Sequence, residues 1–182
     1  MQITHDRFKQ DMTMTLDELY DKIEIRKQEL GKRRPLTEAE VARLNEDFMI
    51  EYTYNSNAIE GNTLTLWETA MVLRGLTIDK KPLKEHLEAV QHRDAFHYIC
   101  DLVSKKVSLS ETIIQEIHSI ILNDQLAARG IYRQVAVRIL GSRHIPPNPL
   151  KVPDLVREMI SDYEKSRDNP VKKIAKLHIQ FV

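Results

Sequence analysis

Residues 37–62 read TEAEVARLNEDFMIEYTYNSNAIEGN. Thr37 and Glu40 fit a capping box, in which a hydroxyl and the carboxylate three residues on satisfy orphan amides of a helix start. Val41, Leu44, Phe48 and Tyr52 then recur at the spacing of one helical face, with Leu36 placed to staple against Val41. The run closes on Gly61, suited to the left-handed position just past a helix end. One helix therefore opens at Thr37 and carries Glu60 in its last turn. There the macrodipole disfavours an anion by about 0.3 to 1 kcal/mol.

The same pattern repeats along the chain. Thr15 with Glu18, Thr65 with Glu68 and Ser108 with Glu111 are three further capping boxes, and Met14 is placed to staple against Leu19. Leu16, Leu19, Ile23 and Leu30 form one apolar stripe, which ends near Gly31 and the basic Lys32, Arg33 and Arg34. Pro82 opens a long helix through Leu83, Leu87, Val90, Phe96 and Leu102, and Leu109, Ile113, Ile117 and Ile120 continue after Ser108. Two more helices are expected at 154–166 and 170–182, the last with Asn169 as cap and Pro170 as first residue. One stretch departs from this. Residues 132–140, YRQVAVRIL, are rich in β-branched side chains and precede Gly141 and Ser142, which reads as a strand entering the turn of a small hairpin. The fold expected is an all-α bundle carrying one β-hairpin flap, with no repeat or linker that splits it.

Composition agrees. Five Gly in 182 residues is about 3%, well under the usual 7% or so, and 30% of residues are charged, which suits helices. Lys plus Arg number 27 and Asp plus Glu 27, a formal charge of zero. That argues against nucleic acid as partner, since phosphate neutralisation asks for a basic excess, and leaves Lys32, Arg33 and Arg34 as a solvated helix end. No apolar run reaches the roughly 18 residues of a membrane span, and the start of the chain has no signal-peptide run. With Cys100 alone, these features favour a soluble cytoplasmic protein of a reducing compartment.

Familiar catalytic patterns are missing: no Walker loop, no dinucleotide fingerprint and no HExxH, and the seven histidines do not sit at metal-ligand spacing. His118 and His178 lie on apolar helix faces and read as hydrogen-bonded structural residues, and Cys100 as a packed thiol. Ser56 and Glu60, four apart, share a helix face. Glu60 is either a solvated residue before a turn or a carboxylate held out for a cation from elsewhere in the fold. The flap also has two readings. Val135, Val137 and Ile139 on one face and Ala136, Arg138 and Leu140 on the other could cover the bundle, or their backbone could accept an extended peptide as an added strand.

In this order the motifs resemble the Fic family. Ser56-Asn57-Ala58-Ile59-Glu60-Gly61-Asn62 fits its inhibitory pattern of Ser or Thr, three residues, Glu, then Gly or Asn. Ala128 to Arg133, followed by Val137, Gly141-Ser142 and His144-Ile145-Pro146-Pro147, resembles its flap region. Lys176 to Val182 resembles the helix leading into its active site. The resemblance implies a Fic-type helical bundle that transfers AMP from ATP to a hydroxyl of a target protein, with Mg2+. It implies a catalytic loop H-P-F-x-D/E-G-N-G-R-x-x-R: the His is the base, the acidic residue holds the metal, and the glycine-rich backbone cradles phosphate. The inhibitory Glu pairs with the last Arg of that loop and blocks productive seating of the γ-phosphate. Carried over, Ser56, Glu60 and Gly61 form the inhibitory and ATP-site group. Val135, Ala136, Val137, Arg138, Ile139, Leu140 and His144 form the flap on which the target docks.

The catalytic loop does not occur in the 182 residues, and Val182 falls about where it should begin. The expected reading is the N-terminal part of a longer Fic adenylyltransferase, autoinhibited through Glu60, with no catalytic and no metal residue of its own and inactive as given. Residues 1–62 would be N-terminal helices including the inhibitory one, and 63–182 the first part of the Fic core. The alternative is a non-catalytic Fic-like binding or regulatory module. Target, nucleotide donor and oligomeric state stay open.

Overall fold

A computed structural model describes residues 14–33 and 35–182; Arg34 of the basic triplet and the first thirteen residues lie outside these. Seven α-helices are formed among the described residues: α1 (Leu16–Gly31), α2 (Glu38–Ile59), α3 (Leu66–Leu73), α4 (Leu83–Ser104), α5 (Glu111–Ile121), α6 (Val152–Lys165) and α7 (Pro170–Phe181), with a short 3-10 turn at Pro149–Lys151. The chain divides into two compact units, one of Glu38–Ile160 and one of Met1–Thr37 with Ser161–Val182.

Local chemistry sets the helix ends. Thr15 and Thr65 each close the expected capping box, with Glu18 and Glu68 returning to the cap amides at 2.7 Å. Asn169 caps α7 ahead of Pro170 as expected, its Oδ1 accepting from the Val171 amide at 2.9 Å. One expected cap is displaced. Ser110, not Ser108, caps α5 and accepts from the Ile113 amide at 3.2 Å, so Glu111 becomes the first helical residue. Both serines can cap; Ser110 leaves Glu111 free to pair with Arg157 at 3.4 Å.

Within Glu38–Ile160, α2, α3 and α4 pack mutually and α5 packs on α4. Leu64, Val72 and Ala89 form the buried core, with Leu73, Ile78 and Val90 against it. Ala89 is wholly buried, its small side chain allowing close helix approach. Thr53 is equally buried and its hydroxyl is 2.9 Å from His92 Nδ1, a polar tie between α2 and α4. His86 has its tautomer set by its partners: Nδ1–H donates to the Pro82 carbonyl and Nε2 accepts from the Ile78 amide, both at 2.9 Å.

Three expectations change here. The hairpin is not formed, and no strand occurs among the described residues. The turn itself is present: the Ser142 amide donates to the Ile139 carbonyl at 3.1 Å and Gly141 takes φ 79°. Pro146, Pro147 and Pro149 in the returning arm have no N–H to donate, so no ladder closes. Second, the stripe on α2 is largely uncovered: Phe48 is 56% and Tyr52 47% exposed. Phe48 and Tyr52 stack at 5.6 Å and both meet Phe96 of α4 near 6 Å, an aromatic cluster at the surface. Third, Cys100 is exposed rather than packed, because that face of α4 points outward.

Candidate functional site

The end of α2 is built by a Schellman motif. The Asn62 amide donates to the Asn57 carbonyl at 3.0 Å and the Gly61 amide to that of Ala58 at 3.1 Å, which makes Gly61 the left-handed residue, with φ 91°. Glu60 is therefore the cap residue, one past the last helical residue Ile59, rather than within the last turn. Its carboxylate is exposed at the negative end of the helix, and among the described residues it pairs with no cation. Ser56 is half-buried one turn earlier, and the side-chain amide nitrogen of Asn57 is buried without a hydrogen-bond partner.

What holds this end in place follows the motif. Asn62 Nδ2 donates to the Glu85 carbonyl at 3.1 Å and to Glu88 Oε2 at 2.9 Å, while its Oδ1 accepts from the Leu64 amide at 3.0 Å. Thr63 donates amide and hydroxyl to Glu85 Oε2, and Lys81 meets both Thr63 and Glu68. The exit of α2 is thus tied to the first turns of α4 by neutral and charged hydrogen bonds, and Leu64 enters the core directly behind it.

The flap stands apart from this group: no hydrogen bond or ion pair joins Ser56 or Glu60 to it among the described residues. Its root is anchored on both sides. The Gly130 amide donates to His118 Nδ1 at 3.1 Å. A Cβ on Gly130 would lie 3.2 Å from Ser119 Cβ and 3.3 Å from the Gln115 carbonyl, so the backbone approaches α5 as only glycine allows. The Tyr132 hydroxyl is buried and makes no hydrogen bond of ordinary geometry, yet it feels the Glu111 carboxylate. Burial first, then Glu111, push its pKa up to about 12. Arg157 bridges Glu111 to Asp154, tying α5 to α6.

Beyond the root, Val135, Val137, Ile139 and Leu140 are exposed, Leu140 fully so, and Ala136, Arg138 and His144 are also at the surface. None of these side chains is buried in the core. The arms are closed by one side chain: Arg133 donates through Nη1 to the Val135 carbonyl at 3.1 Å and through Nη2 to the Pro147 carbonyl.

Sequence gives Asn62, Arg133 and Arg157 no role of their own, and it marks Glu111 only as a capping residue. Asn62 stood in the quoted motif, and an Asn directly after a glycine C-cap is a turn signal that points to it. Nothing local marks Arg133, whose second partner is fourteen residues away.

In the other unit, α7 and the end of α6 line a cavity of about 340 Å³ with Asp162, Tyr163, Lys173, Lys176 and Gln180. Lys173 lies 4.1 Å over the Tyr163 ring and Lys176 pairs with Asp168 at 2.6 Å, so both lysines have partners within the protein. Among the described residues no group of three His, Cys, Asp or Glu is placed to hold a metal ion. The described residues therefore do not fit Mg2+. No helix among the described residues is long and apolar enough to cross a membrane.

Comparison with known proteins places the chain. Residues 108–182 match the Fic/DOC family. The protein is 31% identical over 174 residues to the Protein adenylyltransferase Fic of Nematostella vectensis, covering 91% of this chain and 39% of that one. It is 30% identical over 153 residues to that of Aedes aegypti, covering 80% and 30%. The chain thus spans well under half the length of these relatives. The fold superposes on a Fic domain containing signaling protein from Bacteroides thetaiotaomicron with a TM-score of 0.73 at 29% identity, covering 80% of this chain and 58% of that one. It does so on a Fic family protein from Desulfovibrio desulfuricans with a TM-score of 0.76 at 24% identity, covering 93% and 51%, which bears on the fold alone. The all-helical fold, the matched segment and these relatives agree: the chain belongs to the Fic/DOC family.

Proposed function

We propose that these 182 residues supply the restraining helix and the docking loop of a Fic adenylyltransferase, which transfers AMP from ATP to a hydroxyl of a target protein and is autoinhibited through Glu60. The observation that carries this is the placement of Glu60. A carboxylate at the negative end of a helix, on a backbone tied down by Asn62 and Thr63, with no cation partner among the described residues, is what an inhibitory residue awaiting an arginine requires. The catalytic loop that would provide the base, the metal ligand, the phosphate cradle and that arginine is not in this sequence. ATP, when bound, supplies the adenylyl group. This chain's own residues act by restraint and by positioning, with the exposed flap from Val135 to Leu140 and His144 receiving the target.

The test is transfer of label from α-labelled ATP by the full-length natural protein, unaltered and as Glu60→Gly. The expected result is stronger labelling with Glu60→Gly by at least about tenfold, a loss of roughly 1.4 kcal/mol of restraint or more. Equal labelling in the two removes the inhibitory role. Absent labelling in both removes the transferase reading and leaves the non-catalytic module. The 182-residue chain alone is expected to transfer nothing.

A further inference from the structure

Resting on the inhibitory reading of Glu60, we infer that His92 is a positioning residue for that carboxylate: through Thr53 it seats α2 on α4, and its protonation loosens the seat, so that the restraint on transfer weakens in acid. The contact between the two helices leads to it. Thr53 is the one fully buried residue of α2, so the helix has a single deeply set point, two turns or roughly 10.5 Å before Glu60. That point is polar: the Thr53 hydroxyl lies 2.9 Å from His92 Nδ1. Beside it is the half-exposed aromatic stripe, with the Tyr52 ring 5.0 Å from that of His92. Asn62 holds the far end, so Glu60 stands between two ties to α4.

The chemistry of the ring makes the first tie acid-sensitive. A neutral imidazole can accept at Nδ1 from the Thr53 hydroxyl, whereas an imidazolium carries protons on both nitrogens and can only donate. The hydroxyl must then turn its own proton elsewhere in a site closed to water, and a charge is set in a half-buried contact. The charged groups of the helices around it have other partners. Along α4, Glu88 is held by Asn62 and Lys84, and Arg93 by Asp94 and the Leu73 carbonyl. On α2, Glu46 pairs with Arg74 and Asp47 with Arg43, and Glu51 is exposed. On α3, Glu68 pairs with Lys81; on α5, Glu111 and Glu116 meet Arg157 and Tyr98, and His118 takes the Gly130 amide. Burial alone is what lowers the His92 pKa. With α2 lifted, the ring reaches water and returns toward 6.5, so the lifted state takes up the proton first. Seating is complete above pH 6.5 and is lost as pH falls through the lowered value.

The measurement is the ratio of labelling by the full-length Glu60→Gly protein to labelling by the unaltered one, in which a pH effect on the transfer chemistry itself divides out. Between pH 7.5 and pH 5.5 that ratio is expected to fall about threefold or more, and to stay within about 1.5-fold when both proteins carry His92→Gln, which is neutral throughout and can still meet Thr53. Thr53→Val removes the hydroxyl at similar volume. It is expected to lower the ratio about threefold at pH 7.5 while changing labelling by the Glu60→Gly protein within about twofold, because it acts only through the carboxylate. A ratio above one that does not change with pH, or that falls equally with His92→Gln, overturns the role of His92 and leaves the inhibitory reading standing. A ratio of one at both pH values, or no labelling by either protein, overturns that reading and the role of His92 with it. If Thr53→Val does not fold, the pH profile of His92→Gln decides the matter.

Discussion

Asn62 Nδ2 lies 2.9 Å from Glu88 Oε2 and so joins the residue following Glu60 and Gly61 to the second turn of the longest packed neighbour, α4. The same side chain accepts from the Leu64 amide at 3.0 Å, just before Leu64 enters the core. Asn62→Ala is expected to cost about 1 to 3 kcal/mol, since the Leu64 amide and the Glu85 carbonyl lose their partner. Asn62→Asp keeps the acceptor for Leu64 but sets a second carboxylate against Glu88. Denaturant unfolding of both variants checks this, and a loss under about 0.5 kcal/mol in each would show the tie to be idle.

Gly61 and Lys106 occupy the same position in two Schellman caps. Lys106 has φ 55°, with the Val107 amide donating to the Leu102 carbonyl at 3.0 Å. A side chain at φ near 60° costs about 1 to 2 kcal/mol that glycine avoids. Gly61→Ala, with nothing within 4 Å of the new Cβ, is expected to destabilise by about 1 kcal/mol through the backbone alone. Lys106→Gly is expected to stabilise by a similar amount, read as a rise in Tm. A fall in Tm with Lys106→Gly would contradict the cap geometry.

His92 gives an acid dependence. Burial lowers its pKa below the ordinary 6.5, so the unfolded chain takes up its proton first as pH falls. Stability from this residue is complete above pH 6.5 and is lost as pH falls through the lowered value. The pH dependence of Tm below 6.5 is expected to be shallower in His92→Gln, which can still meet the Thr53 hydroxyl. A slope unaltered by the substitution would exclude His92 as its source.

Tyr132 gives the opposite dependence. Its pKa is pushed up to about 12 from the ordinary 10, chiefly by burial. Stability from the neutral phenol is complete below pH 10 and is lost as pH rises through about 12. Ultraviolet titration of the tyrosines is expected to show a late-ionising phenol that vanishes in Tyr132→Phe. Its persistence in that variant would place the perturbed phenol elsewhere.

Much of the fold was legible because helices are specified locally. Thr15 with Glu18 and Thr65 with Glu68 are three residues apart, and Asn169 with Pro170 are adjacent, so their pairing needs no knowledge of the rest of the chain. Glu60 and Gly61 were legible for the same reason, off by one helical position because the left-handed glycine makes its predecessor the cap. The flap was misread as a hairpin. β-Branched residues at 135–139 signal extension, but a strand also needs a partner with amides to offer, and the three prolines of the returning arm withhold them.

Other features depended on neighbours far along the chain. Periodicity marks Phe48 and Tyr52 as one apolar face but does not say whether a neighbour covers it, and here it stacks at the surface with Phe96. Asn62 meets Glu88 twenty-six residues on, and Arg133 meets Pro147 fourteen on. Residue letters thus settled the helices, the caps at Thr15, Thr65 and Asn169, and the family, because those rest on hydrogen bonds spanning two to four residues and on contiguous motifs. The clamp behind Glu60, the exposed aromatic face and the arginine that closes the flap arose only on folding, where packing decides which distant donors and acceptors come within reach.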